Sequence, residues 1–259
     1  MKIFQINLFA LSFCLLFSIS SSYAQDRERY YYQFKVYHFT DESQRERVDQ
    51  FLETAYVPAL HRAGVERIGV FHTIEDEQPK TYVFLPFASM EEMLSVEETL
   101  EKDRKYRNSG KDYLAATHDN APYERIETIL LRAFEGMPQA EEPDLTTPMS
   151  ERFYELRSYE GPTEALYNNK VDMFNTGDEI SIFNRLGFNA VFYGEVLIGS
   201  RMPNLMYMTT FKSREHRDQL WQNFSDDSAW NELKSMQEYQ NNVSKADLIF
   251  LRPAEYSDF

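Results

Sequence analysis

The chain has 259 residues, 42% of them hydrophobic, a formal net charge of −15 and one cysteine, Cys14. An acidic balance without a Lys/Arg-rich block argues against a nucleic-acid partner. A lone cysteine leaves no thiolate zinc site, iron–sulfur cluster or disulfide framework.

In chain order, the first element is a leader, "MKIFQINLFALSFCLLFSISSSYAQ". A positive Lys2, an apolar run over Leu8–Ile19 and small residues around Ala24 make a secretory signal peptide of residues 1–24. The run is too short to span a bilayer comfortably. Cys14 lies inside it, behind bulky Phe13, which does not suit a lipoprotein anchor. The expectation is an exported chain, periplasmic or extracellular, starting near Gln25 with no stable membrane anchor. It is held together by its core alone, and its about 235 residues are ample for one large domain or two small ones.

"YYQFKVYHF" (Tyr31–Phe39) reads as a strand. Asp41 and Gln44 form a capping box ahead of a helix over Ser43–Leu60, which buries Val48, Phe51, Leu52, Ala55 and Ala59. Ser89 and Glu92 form a second box. Glu135–Ser150, rich in proline and acidic residues, reads as a linker. Beyond it come a strand over Phe153–Tyr159 and a helix over Glu164–Leu186, with Thr163 as N-cap, an interruption at Gly177 and a C-cap at Gly187. Strands follow over Val191–Leu197 and Leu205–Phe211, joined by the turn Gly199–Asn204. A helix runs from Ser213 through Phe224, a short one surrounds Trp230, Leu233 and Met236, and a last strand covers Ala246–Leu251.

The second half echoes the first. "YYQFKVYHF" lies over "FYELRSYEG", "RAGVERIGVFHTI" over "RLGFNAVFYGEVL", "PKTYVFLPFAS" over "PNLMYMTTFKS" and "TILLR" over "LIFLR", at offsets of 120 to 124 residues. The expectation is an α+β fold of tandem ferredoxin-like β-α-β-β-α-β repeats, over 26–136 and 151–259, with 137–150 as linker. Such a unit covers one sheet face with helices. The other face, rich in Tyr and Met, calls for a second sheet. Facing sheets come either from the two repeats of one chain or from a second chain, and the pairing makes a homodimer the expected assembly.

"FYELRSYE", "FNRLGFNAVFYGE" and "GSRMPNLMYMTTF" resemble the NIPSNAP family, within the dimeric α+β barrel superfamily. The resemblance is strongest over Phe153–Trp230. Tyr154, Glu155, Leu156, Arg157 and Tyr159 reproduce the family's Y-E-L-R-x-Y opening, whereas the first half departs, with Tyr32, Gln33, Phe34, Lys35 and Tyr37. The resemblance implies the barrel fold. The superfamily also contains haem-binding proteins and cofactor-free monooxygenases, but fold membership assigns no chemistry.

Internal alignment singles out the candidate residues. Glu155, Arg157 and Tyr159 align with Gln33, Lys35 and Tyr37, a polar–cationic–phenolic row expected on the sheet face turned away from the helices. Such a row commonly orders a barrel interior, Arg157 pairing with Glu155 or a neighbouring carboxylate. In the alternative, Arg157 and Tyr159 orient a polar group of a ligand. Glu195, aligned with His72 and placed on one face with Tyr193 and Val191, is the candidate acid–base group. Its commoner role is as partner to Arg157 or Arg201. The candidate ligand-binding set is therefore Arg157, Tyr159, Glu155, Tyr193, Glu195, Lys35, Tyr37 and His72, with an unknown small molecule as partner. No H-x-x-x-H pair points to a metal. A non-covalent haem would look to His61 or His72, and otherwise no cofactor is implied. No nucleophile elbow, P-loop or dinucleotide fingerprint occurs. A binding or self-assembling module is the leading reading. A cofactor-free monooxygenase or isomerase acting on an apolar or aromatic substrate is the alternative, and a purely structural interaction domain the third.

Overall fold

The computed structural model describes residues 28–76 and 78–259. The leader lies outside the described residues. No described helix is long and apolar enough to cross a membrane.

The described residues form eight strands interspersed with helices: β1 (Tyr31–His38), β2 (Gly69–Thr73), β3 (Lys80–Phe87), β4 (Arg125–Ala133), β5 (Phe153–Glu160), β6 (Asn189–Ile198), β7 (Asn204–Phe211) and β8 (Lys245–Pro253). All pairings are antiparallel, and they close into a barrel in the order β1-β3-β2-β8-β5-β7-β6-β4. Neighbours among the first four strands run β4-β1-β3-β2, and among the last four β8-β5-β7-β6. The two groups join at β2–β8 and at β4–β6. The fold is thus α+β, and one chain covers the sheet face whose exposure argued for a partner.

Local signals explain the helices. In α1 (Glu42–Phe51), Asp41 accepts from the Gln44 amide at 3.1 Å, and the Gln44 side chain accepts from the Thr40 amide at 2.9 Å. The helix passes through a π turn (Leu52–Tyr56) into α2 (Val57–Arg62). Ser89 caps α3 (Met90–Lys102), with the Glu92 carboxylate returning to the Ala88 amide at 2.8 Å. Arg104–Ser109 (α4) and Lys111–Leu114 (α5) complete this side. In the second half the expected long helix is two pieces, α6 (Glu164–Asn175) and α7 (Glu179–Leu186). The break falls at Gly177, where a Cβ would lie 2.6 Å from the Met173 carbonyl oxygen. Gly187, at φ +85°, caps α7. Then come α8 (Arg214–Asp226) and α9 (Ser228–Leu233). Residues after Met137 run along the barrel wall, tied by Glu141 to the Val191 carbonyl at 2.9 Å and by Asp144 to the Asn189 side chain at 2.8 Å.

Three cores result. One lies between α1–α3 and the outer face of β1–β3, and a second between α6–α9 and the outer face of β5–β7. The third fills the barrel and is strongly aromatic. There, Phe84 stacks on Phe192 with centroids 4.9 Å apart, Phe34 lies 5.0 Å from Phe84, and Phe71 meets Tyr154 at 5.0 Å. Close-packed rings of this kind relax little when one is removed. Phe84→Ala should therefore cost about 3–5 kcal/mol, read as a fall in urea midpoint at unchanged slope.

Candidate functional site

Alternation along β5 sends Tyr154 and Leu156 into the barrel and Phe153, Glu155, Arg157 and Tyr159 outward. The row lies beneath α8, opposite to the expected face. The fully buried Glu155 carboxylate accepts from Arg157, from Arg217 Nε at 2.5 Å and from Trp221 Nε1 at 3.2 Å. The Arg157 guanidinium lies 3.5 Å from the centre of the Trp221 ring and donates to Tyr159 Oη at 2.9 Å. Tyr159 in turn shares a 2.9 Å hydrogen bond with Tyr207. Burial pushes the Tyr207 phenol well above its ordinary range. Nearby, Lys170 and Glu179 form a buried pair at 2.7 Å. Burial raises the Glu179 carboxyl, and the Lys170 charge pulls against it. The row is thus a satisfied ionic network that clamps helices to the sheet.

The other candidates separate. A bulge between Ala190 and Phe192 places both Val191 and Phe192 inside the barrel. Val191 therefore does not share a face with Tyr193 and Glu195. Glu195 pairs with Arg29 and with Arg132 at 3.3 Å, and has neither Arg157 nor Arg201 as partner. Tyr193 packs between Phe174 and Tyr207, its buried hydroxyl without a partner among the described residues. In the first half, Lys35 donates to Tyr56 Oη at 2.8 Å, and Tyr37 packs edge-on to Tyr123. His72 bonds Thr81 at 3.1 Å and faces Asp49 at 3.4 Å. His61 contacts the Val65 carbonyl at 3.1 Å and Asp258 at 3.3 Å. Both rings have protein partners at both nitrogens, so neither offers a free haem ligand. Among the described residues no cluster of His, Cys, Asp and Glu is arranged to hold a metal ion.

A cavity of about 450 Å³ opens instead at the barrel end where β1, β2, β5 and β6 finish. Val36, Ile129, Val196, Met206 and Ile249 form an apolar wall, with Tyr82, Ser158 and Asn204 among them. His38, Asp76, Lys80, Glu127, Arg201 and Asp247 ring the mouth. Sequence reasoning passed over this set. Its signal was the other parity of β1, where Phe34 and Val36 lead to His38, and of β5, where Tyr154 and Leu156 lead to Ser158. Burial and the neighbouring Arg125 charge lower the His38 imidazole, against the pull of Glu127.

Glu155→Ala strands two arginines beneath α8 and should cost about 3–5 kcal/mol in urea unfolding. Glu195→Ala should cost less, about 1–2 kcal/mol, because Arg132 is 40% exposed and Arg29 keeps the Ala133 carbonyl and Glu135 as acceptors. Stability should also depend on pH. His38, His72 and His216 are all lowered from 6.5, each chiefly by burial. Below about pH 6.5 the unfolded chain binds protons that the folded chain refuses, so stability falls as pH drops from 7 through the folded values. Glu179, raised above 4.5, contributes with the opposite sign. Urea midpoints measured between pH 7 and 5.5 should fall, and by less in His38→Asn; equal slopes in the two proteins would remove His38 from the account.

Comparison with known proteins agrees with this architecture. The "putative monooxygenase" of Fusobacterium nucleatum superposes with a TM-score of 0.57 at 8% identity, covering 87% of this chain and 92% of that one. A second protein of that description, from Lactobacillus acidophilus, gives 0.53 at 11%, covering 87% and 94%. An anthrone oxidase-like protein gives 0.53 at 11%, covering 88% and 93%. At such identities the likeness is one of fold. No curated protein matches the sequence. The NIPSNAP family model matches residues 154–258. That segment contains β5 with its Tyr154–Tyr159 motif, the helices that close over it and the strands β6–β8; over it, the second half of the chain is similar to the NIPSNAP family.

Proposed function

We propose that this protein is a small-molecule-binding barrel of the NIPSNAP family, taking a partly apolar molecule into the cavity at the barrel mouth. The observation that carries the reading is the cavity itself: about 450 Å³, apolar below and ionic at the rim. Its size falls in the range that encloses small organic ligands, and a few polar groups on an apolar wall supply orientation. The polar row of β5 is given a structural role in this reading, since each of its groups is bonded within the protein. Export through the residue 1–24 leader, which N-terminal sequencing of the exported chain tests, would place the protein where such molecules are met outside the cytoplasm. The matching strand orders of the two halves and their aligned sequences support reading them as duplicated ferredoxin-like units. Their closure into one barrel creates the cavity between them.

A second reading, cofactor-free oxidation of an aromatic substrate, draws on the likeness to monooxygenase-like barrels and on one local feature. His38 lines the cavity, and its lowered basicity keeps the imidazole neutral at pH 7. In that reading His38, and not Glu195, is the proton acceptor.

Native mass spectrometry of gently purified protein tests the binding reading. We expect a retained small molecule that is displaced in Met206→Trp, where an indole fills the cavity. Retention of the same molecule by that variant sinks the assignment to this cavity. Oxygen uptake dependent on His38 would favour the enzymatic reading.

A further inference from the structure

The class of molecule follows from how charge is distributed around the mouth; this step rests on the cavity being the binding site. Every cation there already has a carboxylate. Lys80 pairs with Asp76 at 2.7 Å, Arg125 with Glu127 at 2.7 Å, and Arg201 with Glu160 at 2.6 Å as well as with Asp247. An anionic ligand gains a cation only by competing with these carboxylates, and a cationic ligand must share a carboxylate that a Lys or Arg already occupies. Either competition desolvates the ligand charge for a pairing the protein has already made.

Below that rim the polar groups are uncharged. Asn204 donates to Ser158 Oγ at 2.8 Å, and both residues are buried. One N–H of the Asn204 amide remains to be used. Tyr82 is buried against Phe34, and no side-chain hydrogen bond from another described residue reaches its hydroxyl. Burial pushes that phenol far up, the nearby Asp76 and Glu127 charges adding to the effect, so it stays protonated and donates. Two neutral donors set in a wall of Val36, Val196, Met206 and Ile249 match a single acceptor oxygen on an apolar body.

We infer that the mouth cavity takes an uncharged apolar molecule bearing a carbonyl oxygen, with Tyr82 and Asn204 as the donors that select it. A hydrogen-bonding wall discriminates strongly between ligands, since a molecule lacking the acceptor leaves buried donors unpaired.

Four probes with one ring system separate the possibilities: 2-acetylnaphthalene, naphthalene, 2-naphthoate and 2-naphthylmethylammonium, titrated against the full chain by calorimetry. The ketone should bind at least about ten-fold more tightly than either charged probe, the equivalent of one ordinary hydrogen bond kept or lost. Tyr82→Phe should weaken the ketone by about ten-fold and leave naphthalene unchanged. Equal or tighter binding of naphthoate or the ammonium overturns the inference, as does a Tyr82→Phe effect of the same size on every probe. Either result leaves the cavity reading standing. Failure of all four probes to bind overturns the inference, and the cavity reading is then decided by the molecule retained in natively purified protein and its response to Met206→Trp.

Discussion

Two seams, β2 against β8 and β4 against β6, close the hydrogen-bond ladder on itself, and every assignment of inside and outside depends on them. A closed sheet has no edge strands to protect and one interior to fill. Once the ring is complete, strict alternation commits each residue to the aromatic core or to the helix-covered surface. The interior is then packed with Phe34, Phe71, Phe84, Tyr154 and Phe192 until the layers near one end, where smaller Val36, Ser158 and Val196 leave space. The cavity is what remains when the aromatic layers stop before the strands do.

The outer layer of the second half uses charge where an ordinary sheet–helix interface uses apolar contact. Glu155 holds Arg157 and Arg217, Lys170 holds Glu179, and Trp221 lies flat beneath the Arg157 guanidinium. Replacing such a buried network by apolar groups can be neutral in stability, whereas removing a single partner is costly. Its consequence is geometric: it admits one placement of α8 over β5. Glu195 is held apart from this network by the β4–β6 seam, which sets it opposite Arg132 and beside Arg29.

Much was legible in the residues. Strand positions, the caps at Asp41, Ser89 and Thr163, the break at Gly177 and the C-cap at Gly187 follow from local chemistry acting over three or four residues, so the chain declares them wherever it is read. The alternation of "RFYELRSYE" separated Tyr154 and Leu156 from Glu155, Arg157 and Tyr159. Which set faced the helices was assigned the wrong way round. Helix-facing surfaces are expected to be apolar, and here α8 supplies Arg217 and Trp221 as partners of Glu155 from more than sixty residues along the sequence. The displacement of Val191 was invisible for a different reason: one extra residue in a strand changes face without changing composition.

The residues alone therefore determined the strand periodicity, the helix caps and, outside the β6 bulge, the separation of polar and apolar sets along the strands. All of these rest on short-range backbone preferences and on repeated patterns. Tertiary structure alone decided that the sheets close within one chain, which face of each strand looks inward, and that His38, Tyr82, Ser158 and Asn204 share one cavity. These residues come from four different strands, and only ring closure brings them to one level. No local rule specifies that closure, because it depends on hydrogen bonds between segments as distant as Phe71 and Pro253.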